Sequence, residues 1–297
     1  MPDQSQAQGG IPACPGPDPH PHGPTRFAMP AGAVDTHAHV IGSPAEWPLA
    51  PNRNYTAPEA TAAMYTGMLD ATGATYGVLV QVSVHGTDNR LMLQTMQAHP
   101  RRLKGVAVVD PGRPESEYRA LRDQGVMGLR INALFGGGPT LAALDEYDAI
   151  CQSMGWHLQL LLDARELPTL GPHLSRLRTT LVIDHMGHLP ADQGVAHPGF
   201  QYLLGLVRDG RAWVKLSGAY RLSVAGFPYH DTIPLARALV EAAPDRCVWG
   251  SDWPHVATWG HMPNVGDLLD LLADWVPDEA TRNRILSDNA RKLYGFP

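Results

Sequence analysis

The feature that most constrains the fold is a repeated alternation of short apolar runs with longer segments of helical spacing. The runs are rich in Val, Ile and Leu, which is typical of strands in a parallel sheet that is buried on both faces. Eight such units in 297 residues predict an α/β chain that closes into a (β/α)8 TIM barrel. The predicted strands are AVDTHAHV (33–40), YGVLVQV (76–82), KGVAVVD (104–110), VMGLRIN (126–132), HLQLLLD (157–163), TLVIDHM (180–186), AWVKLSG (212–218) and CVWGSDW (247–253).

The chain is expected to divide near residue 27. Residues 1–27 are crowded with Pro, Gly, Gln and His, a composition that buries too little apolar surface to offset the entropy of ordering. We therefore expect a flexible N-terminal arm, followed by one barrel domain over residues 28–297. Within that domain, residues 140–155 place apolar side chains at three- and four-residue intervals and predict a helix that ends at Gly155.

Composition excludes several classes of function. The net charge of −6 leaves no basic surface for nucleic acid, and no apolar run approaches the roughly 18 residues of a membrane span. The three cysteines are widely spaced and form no CxxC pair, so a thiolate metal site is not expected and a reducing cytoplasm is the expected location. A homo-oligomer is compatible with the sequence, which does not fix the oligomeric state.

Ionisable residues collect at the ends of three predicted strands. The first strand ends in DTHAH, and strand alternation places His37 and His39 on one face. His185 follows the sixth strand and Asp252 follows the eighth. A histidine taken singly is usually a satisfied core residue, and the alternative for Asp252 is a turn or helix N-cap residue. Because active sites of such barrels lie at the carboxyl ends of the strands, the four together predict a catalytic cluster.

The order of these motifs resembles the amidohydrolase superfamily, and within it the branch of 2-pyrone-4,6-dicarboxylate lactonases and related muconolactone or sugar lactonases. The similar segments are GAVDTHAHV, VQVSVHGTDN, GVAVVDP, GLRIN, VIDHMG and WGSDWPH, in that order over residues 30–297. The resemblance implies a distorted barrel of the amidohydrolase type. It also implies a lactonase, that is a carboxylic ester hydrolase, of the kind used in the degradation of aromatic compounds.

The sequence bears on metal binding as well. A two-metal site of this superfamily would need a Lys or Glu after the fourth strand and a His after the fifth. The fourth strand instead ends in Arg130-Ile-Asn132, and His157 stands at the start of the fifth. One divalent ion such as zinc, held by the three clustered histidines and Asp252, remains chemically open. Resemblance to the pyrone lactonases implies the opposite, so we expect no metal and no other cofactor.

The reaction expected from these residues is hydrolysis of an activated lactone. Opening a lactone that expels an enolate has a good leaving group, so activated water and a polarised carbonyl are sufficient. We predict that Asp252 acts as the general base toward water. The histidines at positions 37, 39 and 185 are predicted to donate hydrogen bonds to the carbonyl oxygen.

Two arginines are the candidate anion clamps. Guanidinium groups bind carboxylate or sulfonate through paired donors, which suits Arg130 and Arg221, although a surface salt bridge is the alternative for each. Further candidates for substrate binding are Tyr55, Ser83, His85, Asn89 and His188. Relative to the dicarboxylate pattern, Gly136, Leu161 and His188 stand where an Arg, a Tyr and an Arg are expected. We therefore predict a small lactone with one strong anionic group, either a carboxylated or sulfonated muconolactone or a sugar-acid lactone.

Three other functions compete with this hypothesis. A decarboxylase or hydratase of the same superfamily would hold one divalent ion. A sugar-acid lactone isomerase would use Asp252 or a histidine to move a proton without consuming water. A non-catalytic ligand-binding barrel would scatter its ionisable residues over the strand ends.

Overall fold

The computed structural model describes residues 10–297, which form a single eight-stranded parallel sheet in the order β1 to β8. Each of the eight predicted runs overlaps one of these strands, β3 beginning one residue before its run, and the (β/α)8 fold is confirmed. Several strands are shorter than the apolar runs because the polar residues at the carboxyl ends leave the ladder. The strands are β1 Val34–Ala38, β2 Tyr76–Val80, β3 Leu103–Ala107, β4 Val126–Asn132, β5 His157–Leu161, β6 Leu181–Ile183, β7 Ala212–Leu216 and β8 Cys247–Trp249.

Helices lie between the strands and cover the sheet. The predicted helix at 140–155 appears as a short 3-10 turn followed by α4, which ends at Gly155 in the left-handed region at φ 69°. Among residues 10–297, no helix combines the length and apolar character that crossing a bilayer requires. The helices are α1 Ala62–Thr72, α2 Arg90–Ala98, α3 Glu115–Asp123, α4 Leu144–Met154, α5 Leu167–Leu174, α6 Pro198–Arg208, α7 Ala219–Leu222, α8 Ile233–Ala242, α9 Val265–Trp275, α10 Glu279–Asn283 and α11 Asn289–Tyr294.

The barrel closes between β8 and β1 through backbone hydrogen bonds that join the segment after β8 to the end of β1. The amide of Asp252 donates to the carbonyl of His37 at 2.8 Å, and the amide of His39 donates to the carbonyl of Trp253 at 2.8 Å. Ala38 and Trp253 form a parallel bridge at the same place. These bonds lock the segment after β8 against the end of β1, so the two segments that carry the predicted catalytic residues are fixed relative to each other.

The opposite end of the barrel is apolar and is closed by the C-terminal helix. Tyr294 at the end of α11 packs edge-to-face on His157, with 5.3 Å between ring centroids. Both side chains are buried and belong to the N-terminal side of the strands, where β5 begins.

The described part of the predicted arm, residues 10–27, lies along the barrel. The Asp270 carboxylate accepts hydrogen bonds from the amides of Thr25 and Arg26 at 2.8 and 3.0 Å. The guanidinium of Arg26 pairs with Asp274 at 2.6 Å. Burial of Cys14 and packing of Phe27 against the core accompany these polar contacts. That residues 1–27 form a flexible arm stays a prediction. Residues 1–9 lie outside the described residues, and the division at residue 27 stays a prediction.

Candidate active site

The carboxyl ends of β1, β6 and β8 bring the predicted histidines and aspartate together. The Nε2 atoms of His37 and His39 each lie 3.8 Å from Oδ1 of Asp252. The Nε2 atom of His185 lies 3.7 Å from Oδ2 of the same carboxylate. All four side chains are buried. The strand pattern brings His37 and His39 onto one face, and barrel closure supplies the other two residues.

Backbone strain is concentrated around this cluster. Seven non-glycine residues in the described chain have φ between 49° and 64°, and all lie in the segments that follow β6, β7 and β8. Such conformations cost on the order of 1 kcal/mol each and collect at functional sites. Strain at both His185 and Asp252 shows that the surrounding contacts dictate where these side chains point. The seven are His185, Met186, His188, Tyr229, Asp252, His255 and Ala257.

Two of the imidazoles present a lone pair to the cluster. The Nδ1 atom of His39 lies 2.7 Å from the carbonyl oxygen of Val80, which can only accept, so this nitrogen carries the proton. The Nδ1 atom of His37 lies 3.2 Å from Oδ1 of Asp184 and 3.3 Å from Nζ of Lys215. Because a lone pair on Nδ1 would face the ionised carboxylate, we place the proton on this nitrogen as well, while the Lys215 ammonium donates to Thr36 and Gln159. Burial, followed by the charge of Arg130, lowers the pKa of His39 to about 4. Both rings are neutral at pH 7, because burial and nearby charge also hold the pKa of His37 well below 6.5.

His185 has a different hydrogen-bonding environment. Its Nδ1 atom lies 2.9 Å from the Ser217 hydroxyl, which can donate as well as accept. Burial lowers the pKa of His185 to about 3, so this ring is also neutral at pH 7. The Ser217 hydroxyl also lies 3.5 Å from the carbonyl oxygen of Lys215, but the contact with Nδ1 is much the shorter. With Ser217 as the donor to Nδ1, the proton of His185 resides on Nε2. It is then the imidazole of the three that can donate a hydrogen bond into the cavity.

Asp252 is an ionised carboxylate with one free oxygen. Its Oδ2 accepts from Nε of Arg221 and from the hydroxyl of Tyr220, both at 2.6 Å. Its Oδ1 is buried and accepts no hydrogen bond from residues 10–297. Burial alone raises the pKa of Asp252, but the Arg221 guanidinium and the nearby imidazoles hold it well below 3.8. The free oxygen faces His37 and His39.

A second buried carboxylate, Asp184, lies behind the cluster. Its Oδ2 accepts from Nε of Arg130 at 3.1 Å and from Nε2 of Gln159 at 3.0 Å. The ammonium of Lys215 lies 3.5 Å from Oδ1 and donates to the Gln159 side chain at 2.8 Å. Burial alone raises the pKa of Asp184, but His37, Lys215 and Arg130 hold it well below 3.8. This network holds His37 through Nδ1, on the side of the ring that faces away from Asp252.

Five residues that contact the catalytic cluster or the buried network behind it were not predicted from the sequence. Lys215 and Gln159 each interrupt an otherwise apolar strand, a signal that could have placed them inside the barrel. Nothing in the local sequence distinguishes the other three, because their partners lie 25 residues or more away along the chain. The five are Gln159, Asp184, Lys215, Ser217 and Tyr220.

The cluster opens into a cavity of about 300 Å³, called here the inner cavity. It is lined by four of the predicted substrate-binding residues: Tyr55, Ser83, Arg130 and Arg221. The hydroxyls of Tyr55 and Ser83 are hydrogen-bonded to each other at 2.8 Å. Leu161 also lines the cavity. Both predicted guanidinium groups therefore border the space in front of Asp252, although each also contacts a buried carboxylate.

The other three predicted binding residues lie outside the lining of the inner cavity. Asn89 donates to the carbonyl of Val108 at 2.7 Å and accepts from its amide at 3.1 Å, which ties the segment after β2 to the end of β3. His85 is buried on the 3-10 turn after β2, and its Nε2 has no partner in the described chain. His188 lines a neighbouring cavity. Their roles in substrate binding stay predictions.

The donor atoms could hold one metal ion. One ligand atom each from His37, His185 and Asp252 lie within 4.8 Å of one another. Zinc ligands at about 2.0–2.1 Å in a tetrahedral shell lie about 3.4 Å apart, so small shifts suffice. The free Oδ1 of Asp252 and the unpartnered Nε2 of His37 suit such an ion. Against it, Arg221 already places a permanent positive charge on the same carboxylate.

Residues 34–296 match the amidohydrolase family. The chain belongs to this family. It is 37% identical over 289 residues to a 4-sulfomuconolactone hydrolase of Hydrogenophaga intermedia, covering 96% of this chain and 95% of the relative. It is 36% identical to a 2-pyrone-4,6-dicarboxylate hydrolase of Comamonas testosteroni, covering 91% and 92%. A D-galactarolactone isomerase of Agrobacterium fabrum is 30% identical, with 90% and 92% covered. The resemblance noted from the sequence motifs is confirmed.

Proposed function

We propose that this amidohydrolase hydrolyses a small lactone that carries one carboxylate or sulfonate. The observation that carries the proposal is the free Oδ1 of ionised Asp252, held among imidazole nitrogens in a cavity bordered by Arg130 and Arg221. Relatives 37% and 36% identical to this chain over more than nine-tenths of its length are named lactone hydrolases. The same branch includes the isomerase relative, which makes isomerisation the second candidate.

The first step is activation of water by Asp252. A water molecule in front of Oδ1 can donate one hydrogen to that oxygen and the other to a lone pair of His37 or His39. As the water oxygen attacks the lactone carbonyl carbon, Asp252 takes its proton. This differs from the role predicted for these two histidines, because their Nδ1 hydrogens point away from the cavity. They orient the nucleophile and do not polarise the carbonyl.

The second step is stabilisation of the oxyanion. His185 donates from Nε2 to the carbonyl oxygen as negative charge develops there. The tetrahedral intermediate then breaks its ring C–O bond, and the leaving oxygen takes the proton that Asp252 received. Water has added across the C–O bond, and Asp252 returns to its ionised form. An enolate leaving group needs no stronger acid than this carboxylic acid.

The substrate is held by its anionic group. Arg130 offers donors that Asp184 does not occupy, and guanidinium binds carboxylate or sulfonate through paired hydrogen bonds. Leu161 contributes an apolar wall where a dicarboxylate site would place a hydroxyl. The inner cavity is narrow, which favours a compact ring over a larger reacting group.

We propose that the reaction proceeds without a metal ion. If an ion binds, His37, His185 and Asp252 would hold it, and it would polarise the carbonyl oxygen. The guanidinium of Arg221, 2.6 Å from Asp252, already neutralises the carboxylate. A divalent ion would therefore add uncompensated charge to a buried site.

The test is a panel of anionic lactones assayed by proton release in 18O-enriched water. The panel contains muconolactone, sulfomuconolactone, pyrone dicarboxylate and a galactarolactone. Hydrolysis releases acid and places label in the new carboxylate. Label-free product with a shifted ring identifies the isomerase, and no reaction with any member overturns the lactonase proposal.

Whether the reaction needs a metal ion is tested on the same purified protein. Elemental analysis and assays before and after chelation are run in parallel. We expect less than stoichiometric metal and unchanged turnover after chelation. One tightly held ion whose removal abolishes activity would favour the metal-dependent decarboxylase or hydratase, and carbon dioxide release or water addition identifies which.

A further inference from the structure

A second space adjoins the inner cavity at the barrel mouth. This outer cavity measures about 870 Å³, against about 300 Å³ for the inner one. Phe135, Arg221 and Ala257 line both, so the two spaces meet at these side chains. Because the inner cavity is the narrower of the two, a substrate that is larger than its reacting group must extend into the outer cavity.

The walls of the outer cavity are largely aromatic. Phe227 and Trp259 on these walls are 49% and 50% exposed, and large apolar side chains grouped at a surface mark a binding site. The polar groups among them are Arg221, Thr258, two imidazoles and two tyrosine hydroxyls, and no carboxylate lines the space in the described chain. The five aromatic side chains are Phe135, Tyr220, Phe227, Tyr229 and Trp259.

These rings are held in place before any ligand arrives. Nε1 of Trp259 donates to the carbonyl of Ala13 at 2.8 Å. Phe227 packs against the imidazole of His261, with 4.6 Å between centroids. The loop that carries Phe227 is closed by Asp231, whose carboxylate accepts from one hydroxyl and two amides of residues 223–225. A rigid aromatic wall loses little entropy when it binds a flat group.

We propose that the outer cavity is a subsite for a planar, π-conjugated substituent of the lactone, so that aryl-substituted anionic lactones are preferred over bare ones. The inference rests on the proposed lactonase function and extends its substrate class. Its chemical basis is stacking of a flat group on Phe227 and Trp259, continuous with the inner cavity through Phe135. The anion stays in the inner cavity with Arg130.

The experiment compares muconolactone with the set of its ring-phenyl regioisomers. We expect at least one regioisomer to show a KM about tenfold below that of muconolactone in the unaltered protein. Phe227→Ala and Trp259→Ala should each remove most of this advantage and leave muconolactone kinetics within about twofold. The matched control is Val224→Ala, because Val224 is 62% exposed on the same loop and is not among the residues lining the outer cavity.

The outcomes separate the subsite from the reaction. If muconolactone is opened and no phenyl regioisomer binds more tightly, the subsite inference is wrong and the lactonase stands. If nothing is opened, calorimetric binding of the phenyl regioisomers still decides the subsite, since the two alanine variants must weaken it. Light scattering is run alongside: variants that turn a dimer into a monomer without changing the KM ratio assign the aromatic wall to a subunit contact and overturn the inference.

Discussion

At the carboxyl ends of the strands, three buried imidazoles surround Asp252, whereas at the amino ends one buried imidazole, His157, packs on Tyr294. Burial lowers the pKa of His157 to about 3, as it does for His185. Burial and a shifted pKa therefore do not distinguish a functional histidine. At the catalytic end, Nδ1 of each of the three imidazoles has a polar partner, and Nε2 of each faces Asp252 beside the inner cavity.

The two ends also differ in how they compensate buried charge. At the catalytic end, Asp184 is paired with Arg130 and Asp252 with Arg221. A third buried aspartate, Asp35 on β1, accepts hydrogen bonds from Ser251 and Tyr65 instead. The amino end places the uncharged Tyr294 beside His157, whose Nε2 has no partner in the described chain. Charge is buried where chemistry needs it, and the opposite end is closed by aromatic packing.

The largest expected effect is at Asp252. Replacement by Asn keeps the shape and removes the base, so kcat should fall about 10³-fold. Steady-state kinetics on the best lactone of the panel gives the value, and the midpoint of thermal unfolding shows whether the fold is intact. Turnover near that of the unaltered protein in a folded Asp252→Asn variant would remove this residue from the role of base.

A smaller effect is expected at Arg130. Lysine keeps the charge but loses the paired donors, so Arg130→Lys should raise KM about thirtyfold and change kcat by less than about threefold. The matched control is Arg90→Lys, since Arg90 is 71% exposed in its side chain and pairs with Asp88 at the surface. An equal loss in kcat with KM unchanged would place Arg130 in transition-state stabilisation instead of substrate binding.

Ser217→Ala should give a still smaller effect. Without the hydroxyl 2.9 Å from Nδ1, His185 is free to move its proton away from the cavity, so kcat should fall about fivefold. Because Ser217 is buried behind the ring, KM should stay within about twofold. Ser217→Thr keeps the hydroxyl and should restore most of the activity. Equal losses in the alanine and threonine variants would indicate a packing effect.

The smallest effect on activity is expected at the other end of the barrel. His157→Leu should leave kcat/KM within about twofold, because the side chain does not reach the inner cavity. A loss of activity as large as that expected for Ser217→Ala would show that the amino end of the barrel also contributes to catalysis. Kinetics on the same lactone measures it.

The same variant should change the response of stability to acid. Unfolded histidine titrates near 6.5, while burial lowers the folded pKa of His157 to about 3. As pH falls through 6.5 the unfolded state therefore takes up the proton first, and stability is lost. Between pH 7 and 4.5 this loss amounts to about 2.5 kcal/mol for one such residue, which His157→Leu should abolish. Urea unfolding at the two pH values tests it.

Much of the fold was predictable from local sequence. Eight runs of Val, Ile and Leu predicted eight strands, because apolar runs of that length are stable only when buried on both faces. The i and i+2 spacing of His37 and His39 predicted their shared face. Asp184 and Lys215 were not identified, because a buried charge is recognised by its partner, and the partner comes from another strand.

The sequence by itself determined the barrel, its family and the strand ends at which ionisable residues collect. Only the tertiary structure decided which nitrogen of each histidine faces the cavity and which oxygen of Asp252 is free. The reason is that hydrogen-bond partners such as Val80, Ser217 and Arg221 come from other strands and loops, and their positions are set by barrel closure.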